Sequence, residues 1–302
     1  MTSTLSGVIP PMTTPFDAEG ELLVGAVKAQ VDFLIGQGAH GLAAGGSTGE
    51  GHAIDDGEYL RLIEATVDAA AGRVPVIAGI IVDSTRDAIR RGNAVKRLGV
   101  AALQVTPVHY LFRPDDEAML AHFRAITDAT GMPVIIYNVV PWTYLSPALL
   151  TRIMDEVPDV IGVKQSAGDL KLFADLMLTA KPGKLIFSAV DALMYPSYTL
   201  GAAGSIAAIL TAAPRASVDL WDAVKAGDHA RALDLHRRLL VLWNALFADN
   251  LPAACKWALE LQGVPAHLPR APMPPASQRQ RQQIEAALRG LGVQIQARAQ
   301  AA

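Results

Sequence analysis

Cysteine is almost missing from this chain: Cys255 stands alone among 302 residues. No disulfide can form within one chain, which suits a reducing compartment. Charged residues make up only 18%, and 26 lysines and arginines against 29 aspartates and glutamates leave a net charge of −3. That balance gives no basic footprint for nucleic acid or for an anionic membrane surface. No apolar stretch reaches about 18 residues without a polar interruption, so none reads as a membrane span. The N-terminus lacks the charged segment and apolar run of a signal peptide. A cytoplasmic protein is the expectation. Seven histidines are present, yet no pair stands at metal-ligand spacing. His229 and His236 fall on a late helical segment and read as its solvated face. A resident metal is not expected.

Hydrophobic residues, at 51%, are ample for a large core. Short β-branched runs at 7–14, 41–45, 75–81, 101–106, 133–137, 160–164, 185–189 and 204–209 alternate with segments of helical apolar spacing. Eight strand-helix units predict a parallel sheet closed into an α/β structure, the (β/α)8 TIM barrel. Beyond the barrel the pattern turns to helix after helix, at 228–247, 252–262 and 278–291, with a proline-rich break at 269–275. The expected organisation is a barrel over 1–226 that carries the active site, with C-terminal helices over 227–302 packed on it. The last residues are expected to fray.

In a parallel barrel, catalytic groups collect where strands end. Strand two runs into Gly45-Gly46-Ser47-Thr48-Gly49-Glu50, and strand four into Thr106-Pro107-Val108-His109-Tyr110. Strand five ends in Tyr137-Asn138, strand six in Lys164, and strand seven leads into Asp191. Lys164 closes a run that reads as buried on both faces. An ammonium group is costly to bury unless it is paired or has lost its proton. It therefore either snorkels outward or is kept neutral for chemistry. A neutral amine attacks a keto group, loses water and forms an imine that draws electrons from the adjacent carbon. Tyr137, one strand over, is placed to pass protons to that centre, or is a core tyrosine with its hydroxyl at the rim. The glycine-rich loop lets backbone N–H groups approach an anion closely. Without the lysine of a P-loop it suits a small carboxylate, unless it is only a tight turn.

GGSTGE, the Tyr137-Asn138 pair and GVKQSAGDL together resemble the dihydrodipicolinate synthase/N-acetylneuraminate lyase family. The likeness extends from about Gly7 to Pro275, including VIPPMTTPF and NLPAACKWALELQG. It implies a class I aldolase built as a (β/α)8 barrel with C-terminal helices, assembled as a homotetramer or homodimer. It implies that Lys164 forms the Schiff base with pyruvate or another 2-keto acid, with no cofactor beyond that covalent imine. Tyr137 becomes the proton relay, and Ser47 and Thr48 hold the keto-acid carboxylate beside Gly46. Asp191 and Ile206 become substrate contacts, and Glu50 takes a structural role at a helix start. His109 or Tyr110 takes the place of a tyrosine that reaches into a neighbouring subunit's site.

One departure bears on the second substrate. Members that make lysine precursors carry an arginine after the strand-five motif to hold a carboxylate. Here the run is Val139-Val140-Pro141-Trp142-Thr143. An indole cannot copy a bidentate guanidinium. With Trp142 in the acceptor pocket, and Phe112 and Val140 near it, an uncharged and partly apolar aldehyde is expected to outdo aspartate semialdehyde. If Trp142 faces away, Arg113 is the candidate for the missing charge. Other readings stay open: a dehydratase of a 2-keto-3-deoxy sugar acid, dihydrodipicolinate synthase proper, a metal-dependent aldolase and a non-catalytic barrel relative. The expected partners are a small-molecule keto acid and an aldehyde.

Overall fold

The structure, a computed structural model, describes residues 5–110, 112–265 and 267–296. Eight parallel strands run through it: β1 (Gly7–Val8), β2 (Leu42–Ala44), β3 (Val76–Ile80), β4 (Ala102–Val105), β5 (Val134–Asn138), β6 (Val160–Gln165), β7 (Leu185–Ser188) and β8 (Gly204–Ser205). They are joined in the order β1-β8-β7-β6-β5-β4-β3-β2. Between β1 and β2 the ring is completed by Ala43 N–H donating to the Pro10 carbonyl at 3.1 Å and Met12 N–H to the Ala43 carbonyl at 2.8 Å. The architecture is the TIM-barrel type expected from the alternation.

Two strand runs come out shorter than their sequences suggest. Pro10 and Pro11 have no N–H to give a ladder, so the run over 7–14 shrinks to β1 and one bridge, Pro11 to Ala43. The run over 204–209 stops at Ser205, because the Ile209 N–H donates to the Asp191 carboxylate at 2.7 Å instead of to a strand. Helices α1 (Val27–Gly36), α2 (Asp56–Ala70), α3 (Thr85–Val95), α4 (Asp116–Thr130), α5 (Pro147–Glu156), α6 (Leu170–Thr179) and α7 (Met194–Thr199) return the chain between strands. After β8 come the short α8 (Ala208–Ala212), which the sequence pattern did not suggest, and α9 (Pro214–Lys225). Several helix starts are written in the sequence: Asp55 and Glu58 form a reciprocal capping box on α2, and Ser84, Asp115 and Ser146 cap α3, α4 and α5.

The larger apolar core fills the layer between strands and helices, while a second cluster, including Ile9, Ala43, Ile77, Ala102, Ile135, Phe187 and Ile206, forms a separate layer. Side chains two apart on a strand share a face. Tyr137 thus stands on the face of Ile135, and Gln104 on that of Ala102. Gly162 is paired with Ile135 and Lys164 with Tyr137, which puts the lysine inside the barrel above the apolar layer.

Helices α10 (His229–Leu246), α11 (Leu251–Leu261) and α12 (Gln278–Gly290) complete the described chain. Helix α11 is tied to the barrel by a buried ion pair, Lys256 Nζ to Glu50 Oε1 at 2.6 Å. The Arg270 N–H donates to the other oxygen of Glu50 at 2.8 Å, and its guanidinium pairs with Glu58. Of the tail expected to fray, Gln296 N–H donates to the Leu261 carbonyl at 2.9 Å, and Val293 and Ile295 pack on the core. Residues 297–302 lie outside the described ones. His236 does not sit on a solvated face: it is half-buried against Tyr195, which also meets His229. Among the described residues no helix is long and apolar enough to cross a membrane.

Candidate active site

Strands β5 and β6 bring a lysine and a tyrosine into register. Lys164 Nζ lies 3.6 Å from the centre of the Tyr137 ring. The lysine is buried, and loss of hydration drives its pKa down to about 7, with the Asp191 carboxylate pulling it back up. Asp191 is itself buried and pushed up to about 6, although the Ile209 N–H donates to it. Near neutrality the amine can therefore carry a free lone pair, which an exposed lysine cannot.

The Tyr137 hydroxyl donates to Ser47 Oγ at 3.2 Å. Burial raises its pKa to about 12, moderated by its hydrogen bonds to Ser47 and Ser166. It therefore holds its proton at neutral pH and can hand it on and recover it. Ser47 opens a 3-10 turn over Ser47–Gly49, closed by Gly49 N–H to the Gly46 carbonyl and Glu50 N–H to the Ser47 carbonyl, both 3.0 Å. Thr14 Oγ1, from the segment after β1, donates to the Gly49 carbonyl at 2.5 Å. Gly45 adopts a φ of 76°, open to glycine at little cost, and Gly79 on β3 lets this turn pack against the sheet. Glu50 ends the turn in a left-handed conformation, φ 54°, rather than starting a helix. Helix α2 begins six residues later, at Asp56.

A cavity of about 660 Å³ opens above these groups, and Ser47, Thr48, Tyr137, Lys164, Asp191 and Ile206 all line it. Other proposed contacts lie elsewhere. Gly46 belongs to the backbone of the turn and not to the cavity lining. His109 and Tyr110 are held off the mouth because the Asp83 carboxylate accepts both their N–H groups, at 3.3 and 3.0 Å. Trp142 is 71% exposed, and its indole N–H donates to the His109 carbonyl at 2.9 Å. It braces the loop after β4 and does not face Lys164. Phe112 is exposed, and Arg113 pairs with Asp116 at 3.2 Å, so neither enters the cavity.

Other lining residues were not singled out from sequence. Ser166 and Tyr144 flank Tyr137, the Tyr144 hydroxyl donating to the Ser166 carbonyl at 3.4 Å. Ser166 stood inside GVKQSAGDL, two residues after the lysine, and was open to notice. Trp243, Phe247, Asp249 and Met273 come from the C-terminal region. Nothing local marks them; only the fold carries α10 and the following loops over the barrel mouth. The division at residue 226 therefore does not confine the cavity to the barrel. Among the described residues no group of three or more His, Cys, Asp or Glu side chains is arranged to hold a metal ion.

A family model for the dihydrodipicolinate synthetase family matches residues 4–291. A 4-hydroxy-tetrahydrodipicolinate synthase of Pseudomonas aeruginosa is 36% identical over 292 residues, spanning 96% of this chain and 99% of that one. A protein of the same name from Methanopyrus kandleri is 34% identical over 293 residues, 96% of this chain and 97% of its own. Among solved structures, dihydrodipicolinate synthase from Aquifex aeolicus superposes with a TM-score of 0.91 at 25% identity, covering 97% of this chain and all of that one. YagE, an E. coli prophage protein of the dihydrodipicolinic acid synthase family solved with pyruvate, gives 0.90 at 26% identity, over 96% and 99% of the two chains.

Proposed function

The chain belongs to the dihydrodipicolinate synthetase family, whose members are pyruvate-dependent lyases of the aldolase type, and from that premise we propose that Lys164 forms a Schiff base with pyruvate or a related 2-keto acid. The observation that carries this reading is the pairing of Lys164 with Tyr137 across β5 and β6, with the amine's pKa lowered to about 7 by burial. The Lys164 lone pair attacks the keto carbon, and the keto oxygen takes up a proton by way of Tyr137. A second proton transfer releases that oxygen as water and leaves the imine. Its positive nitrogen then accepts the electron pair freed when the neighbouring carbon loses a proton. The resulting enamine attacks the carbon of an aldehyde, and hydrolysis frees Lys164; cleavage runs the same steps backward. Ser47 takes part in the relay through its bond to Tyr137, and Ser47 and Thr48 offer hydroxyls to the keto-acid carboxylate. No cofactor is needed beyond the imine.

A second reading, that the acceptor is the one used by 4-hydroxy-tetrahydrodipicolinate synthases, is favoured by the 36% identity to a protein of that name. The cavity speaks for a different acceptor, as argued below. Dehydration of a 2-keto-3-deoxy acid would pass through the same imine. Assembly as a homodimer or homotetramer and a cytoplasmic location complete the proposal. The exposed Tyr110, Phe112 and Trp142 beside the mouth are suited to contact a second copy, and the buried lone thiol of Cys255 suits a reducing environment.

Borohydride treatment in the presence of pyruvate tests the central step. One reduced adduct per chain is expected, on Lys164, and Lys164→Ala should abolish both adduct and turnover. Tyr137→Phe should cut turnover about a hundredfold or more, in the range of a lost general acid-base group. An adduct on Lys171 or Lys184 would overturn the assignment.

A further inference from the structure

We propose that the C-terminal helices build the aldehyde subsite, in which Trp243, Phe247 and Asp249 select a neutral aldehyde bearing a flat apolar group. This rests on the reading of Lys164 as the imine-forming residue. The carrying observation is continuity: one cavity reaches from Lys164 and Tyr137 at its floor to Trp243, Phe247 and Asp249 at its rim. A keto acid held on Lys164 occupies the floor. The partner that meets its enamine carbon must then stand between that floor and the rim.

The two ends differ in chemistry. Around the floor are hydroxyls, the amine and the Asp191 carboxylate. At the rim the rings of Trp243 and Phe247, four residues apart on α10 and its cap, lie 5.0 Å apart and inclined by 38°. Phe247 remains 70% exposed although it borders the cavity, so its ring can still lose water when a substrate arrives. Two such rings favour a flat apolar group through stacking and edge contacts as well as through area.

Charge gives the second half of the argument. Among the described residues lining the cavity, Lys164 is the only lysine or arginine. Once it is an imine, no lysine or arginine is left there to pair with a second carboxylate, and the one imidazole in the lining, His52, is exposed to solvent. Such a carboxylate would face Asp191 and Asp249 instead, desolvated and repelled. Arg113, the alternative source of charge, is engaged with Asp116 outside the cavity. Asp249 at the rim can still accept a hydrogen bond from a hydroxyl on a neutral partner.

The test compares kcat/KM for pyruvate condensation with benzaldehyde, propanal and aspartate semialdehyde. Wild type should favour benzaldehyde over propanal, and both over aspartate semialdehyde, each by about tenfold or more. In Phe247→Ala and Trp243→Leu the benzaldehyde-to-propanal ratio should fall about tenfold. General damage to folding or to imine formation lowers both rates and leaves the ratio unmoved. An unmoved ratio in both variants therefore overturns the subsite, as does aspartate semialdehyde outrunning the neutral aldehydes tenfold. Trapping of pyruvate on wild-type Lys164 separates the two readings. An adduct with no aldehyde preference sinks the subsite alone, whereas no adduct sinks the imine reading and the subsite with it.

Discussion

Lys164 and Asp191 titrate within reach of each other, and their order sets the enzyme's pH response. With Lys164 at about 7 and Asp191 at about 6, the rising pH first ionises the carboxylate and then frees the amine. Below that range the lysine holds its proton and has no lone pair to give. The rate of pyruvate trapping should therefore rise with pH and level off above about 7. Asp191 raises the lysine's pKa, so Asp191→Asn should move the inflection to lower pH while its side-chain oxygen can still accept from Ile209. An inflection that stays put, followed by trapping rate from pH 5 to 9, would show that the carboxylate does not act on the amine. Lys164 was legible because a lysine ending an apolar run breaks a local rule. Trp142 was misleading for a physical reason: its indole N–H is taken by the His109 carbonyl, and the side chain stays out of the cavity lining. Sequence spacing fixes which strand end a residue occupies, not which way a loop side chain turns.

At the level of elements, β-branched runs placed most strands, and apolar spacing the three C-terminal helices, within a residue or two. What escaped were features decided by partners far along the chain, such as the end of β8, where Asp191 takes the Ile209 N–H. Gly79 is another such feature. A methyl group there would meet the Gly46 nitrogen at 2.7 Å and the Gly45 carbonyl carbon at 2.8 Å, both backbone atoms. The turn over residues 45–49 can sit close on β3 only because that side chain is missing. Gly79→Ala should push the turn outward and destabilise the fold by about 1–3 kcal/mol, the usual cost of overpacking. Its mark should be a raised KM for pyruvate beside a lower Tm. A variant with wild-type KM would show that the turn does not depend on this contact.

The whole molecule adds what neither residues nor elements specify, a mouth made jointly by the barrel and the helices that follow it. The barrel was legible because eight repeats of one alternation admit few closures. The C-terminal contribution was not, since Trp243 and Phe247 read as ordinary helix residues. Assembly belongs to this scale too. Sedimentation at assay concentration should give a dimer or tetramer, and a fully active monomer would exclude the proposed self-association.

The Lys256–Glu50 pair also says something about time. Glu50 leaves the ribosome 206 residues before the ammonium that neutralises it, and 220 before the backbone N–H of Arg270. A carboxylate so deeply enclosed cannot be left alone at low cost, so the pocket turn should settle only once the chain's last quarter arrives. A nascent barrel would hold its strands well before it could hold a substrate. In refolding of the full chain, helical signal by circular dichroism should return ahead of pyruvate trapping on Lys164. Simultaneous recovery would mean that the turn forms without its distant clasp.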